Sequence, residues 1–462
     1  MTRKYSTFST GTTLRGAVGL LTLALIAGCS SLAPKPGFDQ VRKEVGARIG
    51  QNVHWRSGAG DDQAVAAKVG DLLSVPLSAD AAVQIALLNN QGLQARYEQL
   101  GVAQATLVQA GLLRNPVFNA ALRFPKAGGI VDLDLDVAAD FLGVFTRSLR
   151  MRLAAHEFEQ ARLAVTADVL SLAGRVAVAY YGVQSHEQAT VMLARQVAST
   201  GAALLGAERL FAAGNINQLA VDRVRMLDGE MRLGLADQRT ALSAARQTLQ
   251  RLLGLGDDQR SWVLPGGSPH LPEAVDTTSA VRRSVNSSLE LAIAGERIAK
   301  LGEQLGLAKK TALIPELTLG ASSQRDFSGW GTGPAIGFRI PLFDTGQARR
   351  AGLAAALRGA QHSYRAQAMN IAASARLAAL ELAAARARVR ILRDELLPLS
   401  QRIVNGQMLA YNAMQADLLQ LLRAQRRQVA LRAELMNGLG RYWKARVRLE
   451  TLFSGVRTHF EE

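Results

Sequence analysis

Three aspartates alternate with apolar residues in the stretch Val131-Asp132-Leu133-Asp134-Leu135-Asp136-Val137. Successive side chains of a β-strand point to opposite faces, so Asp132, Asp134 and Asp136 are predicted to share one face. A row of carboxylates attracts cations when it lines an aqueous passage. The same pattern is typical of a strand whose polar face is merely hydrated, and the sequence leaves both interpretations open.

Other candidate chemistry is sparse. Gly254-Leu255-Gly256 lacks the remainder of a dinucleotide-binding motif, and neither a phosphate-binding loop nor a serine-nucleophile motif occurs. The histidines do not have the spacing of metal ligands; they are His54, His156, His186, His270, His362 and His459. The sequence therefore predicts no enzyme, no cofactor and no resident metal.

Residues 1–28 are predicted to be a signal peptide, with a basic start and an apolar segment, Ala17–Ile26, too short to span a bilayer comfortably. The segment ends in Ile26-Ala27-Gly28-Cys29, which resembles the bacterial lipobox. Cys29 is the only cysteine, so it has no disulfide partner within the chain, and lipidation is expected to anchor the protein. Ser30 after the cysteine implies sorting to the outer membrane. The alternative is an ordinary signal peptide with an incidental cysteine.

The chain contains an internal repeat with an offset close to 200 residues. Five landmarks recur at offsets of 198 to 200: Val83 and Val281, Pro116 and Pro315, Leu142 and Leu342, Phe211 and Tyr411, and Leu219 and Leu419. Coincidence between two alanine-rich helical halves is the alternative. Each half predicts a helix, two strands, a very long helix, a break and a shorter helix.

The strands are predicted near Val117–Phe124, Ile130–Asp140, Glu316–Arg325 and Gly333–Ile340. Pro125–Gly129 supplies a turn in the first half, and 327–332 a loop in the second. Four strands cannot close a barrel, because small membrane barrels need about eight. If these strands lie in a membrane, several chains must share one barrel; a soluble sheet with one hydrated face is the other possibility.

The long helices are predicted over Arg147–Ala212 and Thr345–Asn412, which are 66 and 68 residues. At 1.5 Å per residue each is about 100 Å long. An apolar stripe in the first has an eleven-residue period, which keeps it nearly straight; it comprises Ala161, Val165, Val169, Leu172, Val176, Tyr180 and Val183. Breaks are predicted near Gly214–Asn217 and Asn412–Gln415, and shorter helices return over Leu219–Leu253 and Asp417–Leu452.

The predicted organisation therefore has six segments. They are a signal peptide (1–28), an anchored, surface-running segment (29–75), a first repeat (76–254), a linker (255–276), a second repeat (277–455) and a short tail (456–462). The formal charge is +16, from 54 Lys and Arg against 38 Asp and Glu. The basic residues are dispersed without an interleaved basic and aromatic patch, so a nucleic-acid partner is not predicted.

The chain resembles the TolC family of outer-membrane efflux and secretion channels over about residues 75–455. The resemblance rests on the order, spacing and duplication of several landmarks: Asn115-Pro116, Ile314-Pro315, Pro341-Leu342-Phe343-Asp344-Thr345-Gly346, Leu418-Leu419 and Ala424-Gln425-Arg426. It implies a mainly α fold with membrane β-strands. Three chains would share a twelve-stranded barrel, and their duplicated long helices would form an α-barrel.

The resemblance also implies a passive trimeric conduit in the bacterial outer membrane. It would extend into the periplasm and receive cargo from an adaptor and an inner-membrane pump, for efflux or type I secretion. The tips, Gly214-Asn215 and Ala413-Met414, would contact the adaptor, although Met414 stands where the family often has glycine. Family tunnels narrow at acidic rings near the tip, which makes Asp417, and more weakly Asp222, gate candidates. An acid favoured by the helix dipole is the alternative for both.

A second class of function also fits a helical chain. A periplasmic adaptor-like interaction protein without a pore would contain long helices, but such a protein normally has one helical hairpin rather than two copies. The transported cargo is not evident from the sequence, although Ala179-Tyr180-Tyr181 is weakly similar to the metal-efflux branch of the family.

Overall fold

The computed structural model describes residues 34–56, 58–124, 131–256, 262–266, 271–272, 276–311, 316–326 and 329–457. The predicted signal peptide, Cys29, the predicted turn at 125–129 and Ile314-Pro315 lie outside the described residues.

The described chain is mainly helical, and its elements follow the predicted order twice. The helices are α1 (Phe38–Ile49), α2 (Ala59–Leu73), α3 (Ala79–Asn89), α4 (Gln91–Gly111), α5 (Leu142–Ala212), α6 (Gln218–Leu253), α7 (Ala280–Ser287), α8 (Leu289–Lys310), α9 (Gln347–Arg390), α10 (Leu397–Asn412) and α11 (Leu418–Phe453). A π-helical segment, Ile391–Leu396, joins α9 to α10. Mainly α secondary structure with one small sheet confirms the predicted fold class.

The strands are β1 (Val117–Arg123), β2 (Asp132–Asp140), β3 (Leu317–Asp326) and β4 (Gly329–Phe338). They form one sheet in the order β1-β2-β3-β4, in which β2 pairs antiparallel with both β1 and β3. The predicted loop at 327–332 was too long, because Gly329–Thr332 already belong to β4. Trp330 and Thr332 are aromatic and β-branched residues that strands favour, and they outweigh the neighbouring glycines.

The chain divides into two compact units that do not follow the repeat boundary. One contains the sheet with its flanking residues, Gly101–Ala154 and Glu316–Gly337. The other contains Gly37–Leu100, Ala155–Pro315 and Phe338–Glu462, which are almost entirely helical. Each repeat therefore contributes to both units.

The prediction that residues up to 75 run over the surface was wrong for the described part of that segment. Helices α1 and α2 bury Val41, Val45 and Val69 in the main core. Phe38 packs edge-on against Tyr97 with ring centroids 5.0 Å apart, and Trp55 donates from Nε1 to Glu98 Oε1 at 2.8 Å. The periodicity was weak because the segment is two short helices separated by an extended stretch.

The predicted linker at 255–276 is also partly core. Trp262 and Leu264 are buried, and the backbone N–H of Leu77 donates to the carbonyl of Val263 at 2.8 Å. The Arg246 guanidinium lies 4.6 Å from the centre of the Trp262 ring. The abundance of Gly and Pro agrees with the absence of helix and strand among the described residues of this segment, but it did not indicate their contact with the body.

The first helix of each repeat and the long helix of the second repeat have irregularities that the sequence analysis missed. The single helix predicted before the strands of the first half is interrupted at Asn90, whose side chain accepts from the Leu93 N–H at 3.0 Å. Ser288 breaks the second copy in the same way. In the second long helix the irregularity lies at Pro398, which lacks a backbone N–H and whose ring would collide with the preceding turn of a regular α-helix. The π-helical segment Ile391–Leu396 lies directly before it, where it widens the helix.

The predicted stripe of α5 forms the centre of the helical core. Val165, Val169, Val176 and Val183 are fully buried, while Ala161 at the start of the stripe is half-buried. Two helical runs, Leu142–Ala212 and Gln347–Asn412, contain a stretch apolar enough to cross a membrane by length and composition alone. The stretch in the first is 56% buried within the chain, as is usual for a core helix, whereas that in the second is 22% buried.

Candidate functional site: the sheet faces and the hairpin tips

The sheet places the three predicted aspartates on one face. Asp132, Asp134 and Asp136 lie opposite Arg123, Ala121 and Asn119 of β1, and Asp134 and Asp136 lie opposite Gln324 and Ser322 of β3. Arg123 reaches Asp134 at 2.7 Å, and Asn119 donates to Asp136 at 3.2 Å. One arginine thus offsets part of the acidic row, and the face remains polar with a net negative charge on β1 and β2.

The opposite face of the sheet is open and apolar on β1 and β2, whereas β3 places Arg325 and Ser323 on it, opposite Leu133 and Leu135. Residues that alternate with the aspartate row include Leu133, Leu135 and Val137, which lie beside Phe118, Ala120 and Leu122 of β1. Phe118 and Leu122 are more than 60% exposed. On β4, Trp330, Ile336 and Phe338 share a face by the same alternation and are exposed. A soluble sheet covers such a face, whereas a membrane strand turns it to lipid.

The two helical breaks have the same geometry 200 residues apart. Gly214 and Met414 both adopt a left-handed conformation, with φ of 74° and 59°. The Asn215 N–H donates to the Leu210 carbonyl at 2.9 Å, and the Gln415 N–H to the Ala410 carbonyl at 2.8 Å. These bonds close the helix ends. The tip geometry that the methionine placed in doubt is therefore the same in both copies.

Met414 is the only described non-glycine residue with a positive φ, and its side chain is 95% exposed. A side chain in this region clashes with its own backbone, at a cost of about 1 kcal/mol. Full exposure gives no compensating burial within the chain. An exposed, flexible, apolar side chain at a turn is suited to contact with another molecule.

Both gate candidates lie near the tips, but their contacts differ. Asp417 caps α11 by accepting from the Gln420 N–H at 2.7 Å, just as Asn217 caps α6 through the Ala220 N–H at 3.0 Å. Asp222 accepts from Gln218 at 2.8 Å on the surface of α6. The helix-end role that the sequence left open is thus observed for Asp417, and its gate role stays a prediction.

A buried polar contact joins each helical hairpin below its tip, and the sequence analysis missed both. In the first hairpin, Asp228 is 1% exposed, accepts from Thr200 Oγ1 at 2.9 Å and forms an ion pair with Arg232. In the second hairpin, Gln428 and Arg432 stand 200 residues after Asp228 and Arg232. Gln428 donates to Gln401 at 2.6 Å, and Arg432 donates to the same oxygen at 3.3 Å. The repeat offset relates Gln428 to Asp228 but not Gln401 to Thr200, so it does not give the partners.

A basic groove of about 480 Å³ lies between α9 and α11. Its cations are Arg388, Arg441, Lys444 and Arg448, with Glu381 3.6 Å from Arg448. Burial, and then the charge of Arg448, lower the pKa of Lys444. No group of three or more His, Cys, Asp or Glu residues in the described part of the chain is arranged to hold a metal ion.

Comparison with known proteins gives no matching family model. Among curated proteins, the chain is similar to the cobalt-zinc-cadmium resistance protein CzcC of Cupriavidus metallidurans, with 23% identity over 82% of this chain and 90% of CzcC. Among solved structures, VceC of Vibrio cholerae, an outer membrane protein, matches with a TM-score of 0.68 and 17% identity over 82% of this chain and 96% of VceC.

The chain has the fold of TolC-family channels. The CmeC outer membrane channel of Campylobacter jejuni matches with a TM-score of 0.67 and 14% identity over 83% of this chain and 87% of CmeC. The MtrE outer membrane channel of Neisseria gonorrhoeae gives 0.66 and 17% over 82% and 89%. The resemblance to the TolC family that the sequence predicts is confirmed at the level of the fold, and CmeC and MtrE are outer membrane channels.

Proposed function

We propose that the chain is the outer-membrane component of a tripartite efflux system, a passive conduit that carries cargo from a periplasmic adaptor and an inner-membrane pump to the outside. The observation that carries this proposal is the four-stranded sheet with one largely apolar face, one polar face and two unpaired edges in the described part of the chain. An open edge inside lipid leaves backbone groups without partners, so a sheet in that setting closes into a barrel.

Closure requires further copies, since four strands are about half of the smallest common barrel. A homotrimer with twelve strands satisfies this requirement. The helices support the same assembly, because α6 exposes Leu219, Met226 and Leu233 at seven-residue spacing. The helical run from α9 to α10 exposes Leu377, Leu380 and Ile403. Apolar stripes of this length on both helices favour coverage by neighbouring chains.

Cross-linking and gel filtration in detergent test the assembly, and planar-bilayer recording tests the pore. We expect a trimer that resists dissociation until heated and that conducts ions. The runner-up function, an adaptor-like protein without a pore, predicts recovery from the inner membrane or periplasm and no conductance. A monomer without conductance would exclude the proposed channel. Type I secretion, as the alternative to efflux, predicts an exported protein as the cargo.

Lipidation of Cys29 and location in the outer membrane belong to the same proposal. The thiol has no other cysteine to pair with. Mass spectrometry of the mature amino terminus should reveal a cysteine that carries acyl chains. Cys29→Ser should leave the chain unprocessed or unanchored, and an unmodified cysteine in the mature protein would contradict the proposed anchor.

We propose that Asp417 contributes to a constriction at the hairpin tips and that Asp222 is a weaker candidate. A threefold axis would bring three copies of each carboxylate together, and acidic rings favour cations. Asp417→Ala should raise the single-channel conductance. Asp417→Asn removes the charge but keeps an oxygen that can cap α11, so it separates the effect of the charge from the effect of the helix cap. Asp222→Ala is the matched comparison on the other hairpin. An unchanged conductance in Asp417→Ala would remove the gate role.

The tips themselves are proposed to contact the adaptor. Gly214-Asn215 and Ala413-Met414 are exposed turn residues at corresponding ends of the two hairpins. Met414→Asp should weaken binding of the adaptor, because it replaces an exposed apolar side chain with a charge. Asn215→Asp, a polar change at the corresponding turn, should have a smaller effect.

The acidic face of the sheet supports divalent cations as the cargo class, as does similarity to a cobalt-zinc-cadmium resistance protein. Replacement of Asp132, Asp134 and Asp136 by Asn should lower the preference for cations over anions in bilayer recordings. Replacement of Asn119, Ser322 and Gln324 by Ala, polar residues on the same face, is the control. Equal selectivity in all three proteins would mean that the acidic row is only hydrated.

A further inference from the structure

Two junctions where a strand gives way to a long helix share an order of residues that the proposed channel does not explain. After β2 come Phe141, Val144 and Phe145, and after β4 come Ile340, Leu342 and Phe343. All six are large apolar side chains with open surface. Phe145 is 67% exposed and Phe343 is 94% exposed. Aromatic side chains on the surface of water-soluble proteins rarely have such high exposure.

The first junction lies directly at the edge of the sheet. The backbone N–H of Phe141 donates to the carbonyl of Leu317, at the start of β3, at 2.9 Å. Phe141 and Phe145 pack edge-on with ring centroids 5.1 Å apart, one helical turn apart on α5. This places an aromatic pair at the end of the strands, on the side from which the long helix departs.

Basic residues follow the apolar residues within about two turns at each junction. Arg147 and Arg150 follow Phe145 on α5, and Arg349 and Arg350 open α9 after Phe343. Arg150 and Arg350 each lie eight residues after the repeat-related Leu142 and Leu342. Arg147 and Arg349 have no basic counterpart at that offset, and Arg150 donates to the Gly143 carbonyl at 3.1 Å, so the two junctions share a type of composition rather than matched residues.

These arginines are not paired with acids. No ion pair joins Arg147, Arg150, Arg349 or Arg350 to a carboxylate among the residues that the structure describes. Arg147 donates from Nε to the Gly111 carbonyl at 2.6 Å, which fixes the base of its side chain near the end of α4. The terminal nitrogens of its exposed guanidinium are left to bind an anion from outside the chain.

Exposed aromatic side chains followed by arginines at the end of a membrane strand match the chemistry of a bilayer interface. Aromatic rings settle at the headgroup level, and arginine binds phosphate with two parallel hydrogen bonds. Arginines close to an anionic leaflet each contribute about 1 kcal/mol to its binding, which is about a fivefold change in affinity.

We propose that each junction binds anionic phospholipid headgroups of the leaflet that faces the helices, which is the periplasmic leaflet if the proposed channel function holds. The apolar residues enter the boundary of the acyl chains, and Arg147, Arg349 and Arg350 bind the phosphates. The occupant is a phospholipid rather than a lipopolysaccharide, because the arginines lie on the helical side of the strands and lipopolysaccharide occupies the opposite leaflet.

Native mass spectrometry of the delipidated, full-length assembly tests this. The probes are phosphatidylglycerol, phosphatidylcholine and a lipopolysaccharide, each added separately. We expect phosphatidylglycerol to bind more tightly than phosphatidylcholine, and its affinity to fall at least tenfold in Arg147→Gln/Arg349→Gln/Arg350→Gln. The matched control, Arg195→Gln/Arg376→Gln/Arg390→Gln, removes three exposed charges of the same helices far from the junctions and should stay within twofold.

Three outcomes would overturn the proposal: equal affinity for the two phospholipids, equal loss in junction and control variants, or binding of lipopolysaccharide alone through these arginines. Arg147→Lys/Arg349→Lys/Arg350→Lys keeps the charge and should retain most of the binding, which separates headgroup binding from a folding defect. Conductance in bilayers of phosphatidylcholine alone tests the proposed channel independently of the headgroup site. A protein that conducts ions there but binds both phospholipids equally would be a channel without the proposed headgroup site.

Discussion

The two helical hairpins have the same backbone plan but different charge. The long and short helices of the first repeat carry 13 Arg and Lys and nine Asp and Glu; those of the second carry 18 and five. Turns, caps and helix ends coincide at an offset of 200 residues, so the duplication preserved the geometry while the surface diverged. Backbone hydrogen bonds and apolar burial thus define the hairpin, and the charged residues on its surface can differ between the two copies without changing the backbone.

The buried contacts below the tips show the same divergence. The first hairpin uses a carboxyl side chain, Asp228, and the second uses an amide, Gln428, at the corresponding position. A buried carboxylate is costly to desolvate and depends on its partners, whereas an amide contact is weaker but less dependent on them. The first contact is therefore the more specific of the two, and the second is the easier to break and reform.

The largest expected difference between the hairpins is the cost of removing these side chains. Asp228→Ala should lower the free energy of unfolding by about 2–3 kcal/mol, because it removes a buried side chain together with its contacts to Thr200 and Arg232. The Thr200 hydroxyl keeps the Val197 carbonyl, at 3.2 Å, as an acceptor. Gln428→Ala should cost about 1 kcal/mol, since Gln401 can reach water. Urea unfolding at a fixed protein concentration, followed by circular dichroism, measures both.

Thr200→Val is the control for the first contact, because it removes the hydroxyl with little change in shape. In the double variant with Asp228→Ala the two effects should not add, since both remove one interaction. Equal costs for Asp228→Ala and Gln428→Ala would mean that the chemical difference between the hairpins has no energetic consequence.

Exchange of the turn residues should give effects of opposite sign. Gly214→Met should destabilise the first hairpin by about 1 kcal/mol, because a side chain is added at a positive φ. Met414→Gly should stabilise the second by less, because glycine also adds freedom to the unfolded chain. Thermal unfolding of the two single variants and the double exchange measures this, with Asn215→Ala as the control beside the turn. A loss of stability in Met414→Gly would show that the methionine side chain makes a stabilising contact in the assembly.

The smallest expected effect is a pH dependence specific to the first repeat. Burial, and then the charge of Lys444, lower the pKa of His186, which is hydrogen-bonded to Gln238. The second repeat has Arg386 at the corresponding position. Because the unfolded chain takes up the proton more readily, stability should fall as the pH drops through about 6.5 and should be unaffected above it.

Melting temperatures between pH 7.5 and 5.5 measure this dependence. His186→Gln should flatten the profile, while His362→Gln, a change at an exposed histidine of the second repeat, should leave it as in the wild type. Glu187 lies next to His186, and burial raises its pKa, which acts in the opposite sense at lower pH. A profile that is unchanged in His186→Gln would assign the acid sensitivity to another group.

The sequence by itself determined the duplicated architecture. Alternation in Val131–Val137 specified a two-faced strand, and the long stripe through Val165 and Val183 specified the core side of α5, because strand and helix periodicity are local properties of the chain. Gly214 and Asn217 marked the first break for the same reason. The second break was found through its offset from the first, even though methionine replaces glycine there.

Only the tertiary structure decided which of the weakly patterned residues belong to the core. Trp55 and Trp262 lie in segments without regular periodicity, and they are buried because distant helices pack on them. The Thr200 contact with Asp228 spans two antiparallel helices, so no local pattern could indicate it. Burial and pairing of this kind depend on the distances between elements, which short-range sequence preferences do not specify.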